Sequence, residues 1–457
     1  VPSFSLEQIK TYTKCQVLQE TANSFTNIST DTRKIEKGML FLAIKGEKYD
    51  GHDFIATAIN NGATGIIISD KRKIPADLQH NITIVVVDDT LQAYLDIAGG
   101  WRQQFKLPLV AVTGSNGKTT TKDLTAAVLA AKYNVLKTQK NFNSEIGMAL
   151  TLLALRQEHN IAVIEMGMRG LGQITALAKA AKPEIGIVLN VGHTHLELLG
   201  SQENIAKAKA ELPQALPQNG KAVLNNDDEF VRKMAKATAA DIITFAIKNS
   251  ADIKAENIRI IDNNKTKFNC ILPNGQFEFI IPLIGEHNVY DALAAIAIGY
   301  IMQMPPQLIQ EGLNAFKSSG MRFEMTKYRD CTIINDAYNA SPVSMKASIK
   351  NIMTMAGKRR IVVCGDMKEL GSIEKTAHEE IGVFCVKNNI DILITLGPLA
   401  KWAAQAARDK AMQNVYTCED HLQIAKLLTK ILQAGDIVLV KGSHSMQMEK
   451  IISLLGK

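Results

Sequence analysis

The chain has 457 residues, 46% of them apolar and 21% charged, with a formal net charge of +7. These are ordinary globular proportions at a length of about three domains, so a disordered, collagen-like or coiled-coil chain is excluded. The basic excess is mild; it suits anionic substrates without making a nucleic-acid binder. No apolar stretch reaches the roughly 18 residues of a membrane span. The longest, around 292–302, is interrupted by Gly299. No integral membrane contact is therefore expected. The first ten residues show no basic segment followed by an apolar core, so no signal peptide is expected either. The six cysteines form no C-x-x-C pair and read as buried free thiols.

In chain order, residues 1–88 mix short apolar runs with turn signals and predict a small α/β domain. Met39–Ile44, Gly65–Ser69 and Ile82–Val87 read as strands, and Asp53–Asn61 as a short helix ended by Gly62. Residues 89–107 predict a connecting helix over Leu91–Phe105. From 108 to 317 the pattern alternates strands and helices. The buried strands are Leu109–Val112, Ile161–Ile164 and Ile185–Leu189, implying a phosphate-loop-type parallel sheet with helices on both faces. Ile258–Ile261, Phe268–Leu272 and Phe277–Ile281, with a Pro-Asn-Gly turn at 273–275, predict an antiparallel hairpin. Residues 318–457 read as a second α/β unit of the Rossmann-like kind. Its strands are Thr332–Asn335, Arg360–Cys364, Ile390–Leu396 and Ile437–Val440, with helices such as Pro398–Ala411 and His421–Leu432. This unit has no G-x-G-x-x-G, so a dinucleotide cofactor has little support.

The strongest chemical signal is Thr113-Gly114-Ser115-Asn116-Gly117-Lys118-Thr119-Thr120, directly after a strand and before a helix. Glycines let the backbone curl so that N–H groups face one anion, and the helix N-terminus adds its positive end. Lys118 would place its ammonium on the β/γ-phosphates of a triphosphate, and Thr119 would offer its hydroxyl to Mg²⁺. The common G-x-x-x-x-G-K-[ST] pattern needs Gly at position 112, where Val112 stands, so the loop is a shorter variant. A triphosphate site needs a metal held by hard ligands. Glu165 ends one buried strand and His195 follows another, so both fall on the rim that carries the loop. His193 reads as an ordinary polar residue.

The loop TGSNGKTT resembles the ATP site of the Mur ligase family. Further blocks are similar to that family and stand in its order: Thr30-Asp31-Thr32-Arg33, Asp50-Gly51-His52, Gly285-Glu286-His287-Asn288, Met321-Arg322-Phe323-Glu324 and Asn335–Pro342. Together with Gly365-Asp366-Met367 and Glu369-Leu370-Gly371, they look most like the family member that acts on UDP-N-acetylmuramoyl-tripeptide and D-alanyl-D-alanine. The resemblance implies three domains and an ATP-dependent, Mg²⁺-requiring ligase making an amide through an acyl phosphate. It also implies a cytoplasmic monomer.

The resemblance assigns sites residue by residue. It implies Lys118, Lys209 and His195 as catalytic. It implies Gly114, Ser115, Asn116, Gly117, Lys118, Thr119, Thr120, His287, Asn288, Arg322 and Asp336 for ATP. For the metal it implies Thr119, Glu165, His195 and Lys209, the lysine as a carbamate. For the other substrates it implies Ser29, Thr32, Arg33, Lys45 and Gly46 around the uridine diphosphate, with Asn141, Asn143 and Asn339 near the reaction centre. Three positions depart from the family pattern: Asp291 and Ser341 stand where Asn is usual, and His444 where Arg is usual. Rival readings are a sister ligase adding the third stem residue, a folylpolyglutamate synthase, a phosphate-loop switch or motor, and a non-catalytic nucleotide module.

Overall fold

The computed structural model describes residues 2–455 except 47, 76, 77, 79–81 and 263. Its strands are, in chain order, β1 (Phe4–Ser5), β2 (Cys15–Gln19), β3 (Ser24–Phe25), β4 (Ile28–Ser29), β5 (Leu40–Leu42), β6 (Gly65–Ile68) and β7 (Thr83–Val87). β1 and β3 pair with each other. The other five form one sheet ordered β2-β7-β6-β5-β4, parallel except at β2. β4 and β5 are parallel neighbours, so Ser29 and the Ile44–Gly46 segment leave the sheet at the same end.

The helix Thr90–Arg102 leads into the next unit, three residues shorter at its end than the sequence pattern suggests. Arg102 stops it: this buried guanidinium donates to the carbonyls of Phe105 and Leu107 at 2.8 and 2.9 Å, turning the chain toward β8. One continuous core runs from Phe4 and Phe25 through Tyr94 and Ile97 to Leu109 and Ile164.

The central sheet has nine strands: β8 (Leu109–Thr113), β9 (Val135–Lys137), β10 (Ile161–Glu165), β11 (Ile185–Val188), β12 (Lys221–Asn225), β13 (Asp241–Ala246), β14 (Ile253–Ile261), β15 (Lys265–Leu272) and β16 (Gly275–Ile281). The order is β16-β15-β14-β13-β12-β11-β8-β10-β9. β9 to β14 and β8 are parallel; β15 and β16 are antiparallel additions on the same sheet. β8, β10 and β11 are buried along their whole length, as unbroken apolar, β-branched runs with helices on both faces should be. β8 lies between β10 and β11, so the chain leaves it in one direction and later returns on its other side. That is the switch point where an open α/β sheet has its ligand crevice. The loops after these three strands share one rim.

The third unit contains β17 (Glu324–Tyr328), β18 (Cys331–Asn335), β19 (Arg360–Gly365), β20 (Ile392–Leu396), β21 (Val415–Cys418) and β22 (Ile437–Lys441), ordered β17-β18-β22-β19-β20-β21. Only β17 is antiparallel. The two faces of this sheet carry separate cores, one around Ile349 and Val362, the other around Val363 and Val440. The architecture is a three-domain α/β fold. All six cysteines are free, and Cys15 alone is half-buried rather than buried. Among the described residues no helix is long and apolar enough to cross a membrane.

Candidate active site

The loop after β8 is held from the neighbouring strand's loop. Ser115 N–H donates to the carbonyl of Asn190 at 3.0 Å, and Asn116 N–H to its Oδ1 at 2.9 Å. Asn190 Nδ2 returns a bond to Asn116 O at 3.1 Å. Asn190 was not foreseen from sequence; its one signal is its place just after the apolar run 185–189. Because Asn190 takes those two N–H groups, Ser115 and Asn116 shape the loop. The donors left for an anion lie further on. The first bond of the helix Lys118–Ala130 is Thr121 N–H to Gly117 O at 2.8 Å. The N–H groups of Lys118, Thr119 and Thr120 therefore have no intrahelical acceptor. Gly117 is at φ +83°, and a Cβ there would stand 2.3 Å from Asp291 Oδ1, so only glycine fits.

Behind this anion site is a hard-oxygen pair. Thr119 Oγ1 donates to Glu165 Oε2 at 2.8 Å, and Asn143 Nδ2 donates to Oε1 at 2.7 Å. Glu165 is 1% exposed and forms no ion pair among the described residues. A buried carboxylate whose direct hydrogen-bond donors are neutral, with Lys118 and Lys122 nearby but not paired to it, leaves room for a cation beside it. Among the described residues no three His, Cys, Asp or Glu side chains gather into a ready-made metal cage. Thr119 and Glu165 supply hard oxygens on the rim, and oxygen ligands completed by water and phosphate are the style of Mg²⁺. The donor set thus fits the metal. Lys209, on the helix Gln202–Gln214, is also buried. Burial, and secondarily the charge of Lys118, push its amine well below the ordinary lysine range. Lys118 is half-buried and donates to Gly114 O at 2.9 Å. Its amine is also lowered by burial.

The third domain reaches onto this rim through Arg322, Ser341 and Glu369, among other contacts. Arg322 Nη2 donates to Thr119 Oγ1 at 2.9 Å, and its guanidinium lies 3.8 Å above the Tyr338 ring. Ser341 Oγ donates to Asn116 Oδ1 at 2.9 Å. Glu369 Oε2 lies 2.7 Å from His195 Nδ1. Glu369 and Ser341 stand in family-like blocks of the sequence, but neither was foreseen as a contact between the domains.

Other expected residues are placed as follows. His287 is exposed at the start of the helix Glu286–Ile301, while Asn288 is buried and donates to Ile284 O at 2.8 Å. Asp336 is already engaged: it accepts from Phe323 N–H at 3.1 Å, Ser348 Oγ at 2.5 Å and Lys441 Nζ at 2.6 Å. Asn339 O accepts from the same lysine. Asn141 is exposed beside Asn143. In the first domain Ser29 bonds the Asp31 backbone, and Arg33 grips Asp31 with two bonds of 2.9 Å. Thr32 is half-buried, and Lys45 and Gly46 are exposed.

Comparison with known proteins agrees in all three domains. Residues 24–101 match the Mur ligase family catalytic domain, 112–299 the Mur ligase middle domain, and 321–444 the Mur ligase glutamate ligase domain. The chain is 37% identical over 431 residues to the UDP-N-acetylmuramoyl-tripeptide–D-alanyl-D-alanine ligase of Bacillus subtilis (strain 168), covering 93% of this chain and 92% of that protein. The chain belongs to the Mur ligase family. Among solved structures, MurF from Acinetobacter baumannii superposes with a TM-score of 0.92 at 28% identity, each chain covered completely. MurF ligase from Thermotoga maritima in complex with ADP gives 0.83 at 28% identity, over 94% of this chain and 96% of that one.

Against this family background the three departures acquire settings. Ser341 bonds the phosphate loop directly. His444 stacks its ring 5.5 Å from Tyr338, on which Arg322 lies. Asp291 is buried against Gly117, with Thr121 Oγ1 donating to it at 3.0 Å. Burial pushes its carboxyl up to about 7, with Thr121 and Arg322 opposing. A folded-state value above the unfolded one means the fold favours the protonated form. That stability is complete below about pH 4 and is lost as pH rises through 7. Asp291→Asn cannot ionise and escapes the loss. Its thermal stability should gain on the wild type from about pH 4 upward and level off above 7, by an amount on the order of 4 kcal/mol for this displacement. Parallel melting curves from pH 4 to 9 check this; superimposable pH profiles would contradict it.

Proposed function

We propose that this enzyme joins the amine of D-alanyl-D-alanine to the free carboxylate of UDP-N-acetylmuramoyl-tripeptide, converting ATP to ADP and phosphate. One observation carries the chemistry: Thr119 of the phosphate loop is bonded at once to Glu165 of the central sheet and Arg322 of the third domain. Nucleotide-binding and substrate-covering parts meet at one hydroxyl.

The steps follow from the residues. A carboxylate is a poor electrophile because its leaving group would be oxide. Its oxygen attacks the terminal phosphorus of ATP, the bond to the bridging oxygen breaks, and ADP departs. The incoming amine then attacks the acyl carbon, phosphate leaves, and the nitrogen gives up a proton. The first step brings two anions together. The free N–H groups of Lys118, Thr119 and Thr120, the Lys118 amine and the Arg322 guanidinium lower that repulsion. Thr119, Glu165, His195 and a carbamylated Lys209 would hold Mg²⁺, which when bound neutralises developing phosphate charge. The contacts of Arg322, Ser341 and Glu369 keep water from the acyl phosphate.

The division of labour follows proposed boundaries. Residues 1–88 take the uridine diphosphate through Ser29, Thr32, Arg33, Lys45 and Gly46. Residues 89–107 connect, 108–317 bind ATP with His287 and Asn288 toward the base, and 318–457 close with Arg322, Asp336 and Asn339. Asn141 and Asn143 face the reaction centre. Dependence on ATP fits a cytoplasmic step of cell-wall precursor synthesis by a monomer. The test is phosphate release with the UDP-tripeptide and each amine in turn. D-alanyl-D-alanine should support turnover and single amino acids should not. Turnover with a single amino acid, and none with the dipeptide, would move the chain to a sister ligase.

A further inference from the structure

His195 stands just before the short helix Leu196–Leu199 that follows β11, and Glu369 stands in the loop after β19 of the third domain. Their side chains meet at 2.7 Å across the domain boundary. At this separation the contact is a close polar approach, with the ring proton not yet aligned on the carboxylate oxygen. Two further observations show that the backbone on each side is set for this meeting. His195 and Glu369 both hold left-handed conformations, at φ 63° and 64°, which side-chain-bearing residues seldom adopt without tertiary support. Two residues on, Gly371 (φ +56°) passes so close to Glu197 that an added Cβ would lie 3.2 Å from its Cα. The contact engages Nδ1 of His195. Among the described residues Nε2 has no hydrogen-bond partner. An imidazole binds a cation through one nitrogen while the other donates its proton to a carboxylate, which fixes tautomer and ring orientation. Here that carboxylate comes from another domain than the ring.

We propose that Glu369 is a positioning residue for His195: it holds the Nδ1–H tautomer and aims Nε2 at the metal, so this ligand is in place only when the third domain is docked. The inference rests on reading His195 as a metal ligand. It makes docking and metal affinity parts of one equilibrium, since anything that withdraws Glu369 also releases His195.

The test titrates MnCl₂ into full-length protein carrying a non-hydrolysable ATP analogue, and reads free Mn²⁺ by electron paramagnetic resonance. Glu369→Ala should weaken Mn²⁺ by roughly 10- to 100-fold, the usual loss when a supporting carboxylate is removed. Glu369→Gln, which keeps an oxygen acceptor, should recover part of it. The ¹⁵N spectrum of His195 should shift from one fixed tautomer toward a mixture in Glu369→Ala. Turnover should show a raised Mg²⁺ requirement, with the apparent metal constant rising by more than kcat falls. His195→Ala separates the layers. If it weakens Mn²⁺ and Glu369→Ala does not, the positioning role is wrong and the metal reading stands. If His195→Ala leaves Mn²⁺ affinity unchanged, the metal reading fails and this inference with it.

Discussion

Lys118→Ala should cripple ATP-dependent ligation without loss of fold. The amine sits at the mouth of the loop, 2.9 Å from Gly114 O, within the field of both Glu165 and Arg322. Burial lowers its pKa, so its charge is held at a cost to the protein and offsets that cost only when phosphate is present. Removing it takes away a fixed positive charge from the point where two anions must approach. The expected loss in kcat/KM is on the order of 10³-fold, at the upper end for a single preorganised group. Melting temperature should stay equal or rise slightly, because a half-buried charge has gone. Full activity in the variant would refute the role of the loop; a collapsed fold would show that the lysine is structural.

Lys209→Ala should be nearly as damaging, and for a less visible reason. Lys209 is 2% exposed, lies near Lys118 and has no hydrogen bond or ion pair among the described residues. Burial disfavours the charged amine, and the positive charge of Lys118 adds to the effect. The outcome is a Lys209 amine pushed toward its neutral, nucleophilic form. A neutral amine adds carbon dioxide and releases a proton to give an anionic carbamate. That reverses the local sign, turning repulsion toward Lys118 and toward a metal cation into attraction. Lys209→Arg keeps a cation but cannot form a carbamate, so it should fail along with alanine, each by roughly 10²-fold or more if the group acts as a charged metal ligand. Rates of the wild type should fall in carbon dioxide-depleted buffer and return with bicarbonate, and ¹³C-bicarbonate should give a carbamate resonance absent from both variants. An active Lys209→Arg would assign the residue a plain cationic role.

Much of the candidate site's layout was legible because its residues are local in sequence. The loop Gly114–Thr120 needs glycine, lysine and threonine at fixed spacings between a strand and a helix, and those residues are contiguous. Glu165 and His195 could be placed because buried parallel strands announce their ends. Asn190, Ser341 and Glu369 act across tertiary contacts, where spacing along the chain carries no information. Asp336 shows the converse. As an acid at a strand end it reads as free for a ligand, yet Lys441, Ser348 and the Phe323 N–H converge on it from three separate segments.

The fold divides along similar lines. Strands buried on both faces, such as β8, β11 and β20, stand out as apolar runs. β9, β13, β17 and β21 escape notice because they are short or partly exposed and mix Lys, Asp, Glu and Thr with their apolar residues. β12 is buried but only three residues of it are apolar. The hairpin β15–β16 was legible from its Pro-Asn-Gly turn, but not its attachment to the central sheet through β14, which depends on register.

The most direct measurement follows oxygen. UDP-N-acetylmuramoyl-tripeptide labelled with ¹⁸O in its terminal carboxylate is turned over with ATP and D-alanyl-D-alanine, and the released phosphate is weighed by mass spectrometry. Attack of the carboxylate on phosphorus carries one labelled oxygen into each phosphate formed. Unlabelled phosphate, with the label left in the product or lost to water, would contradict an acyl phosphate and the account built on it.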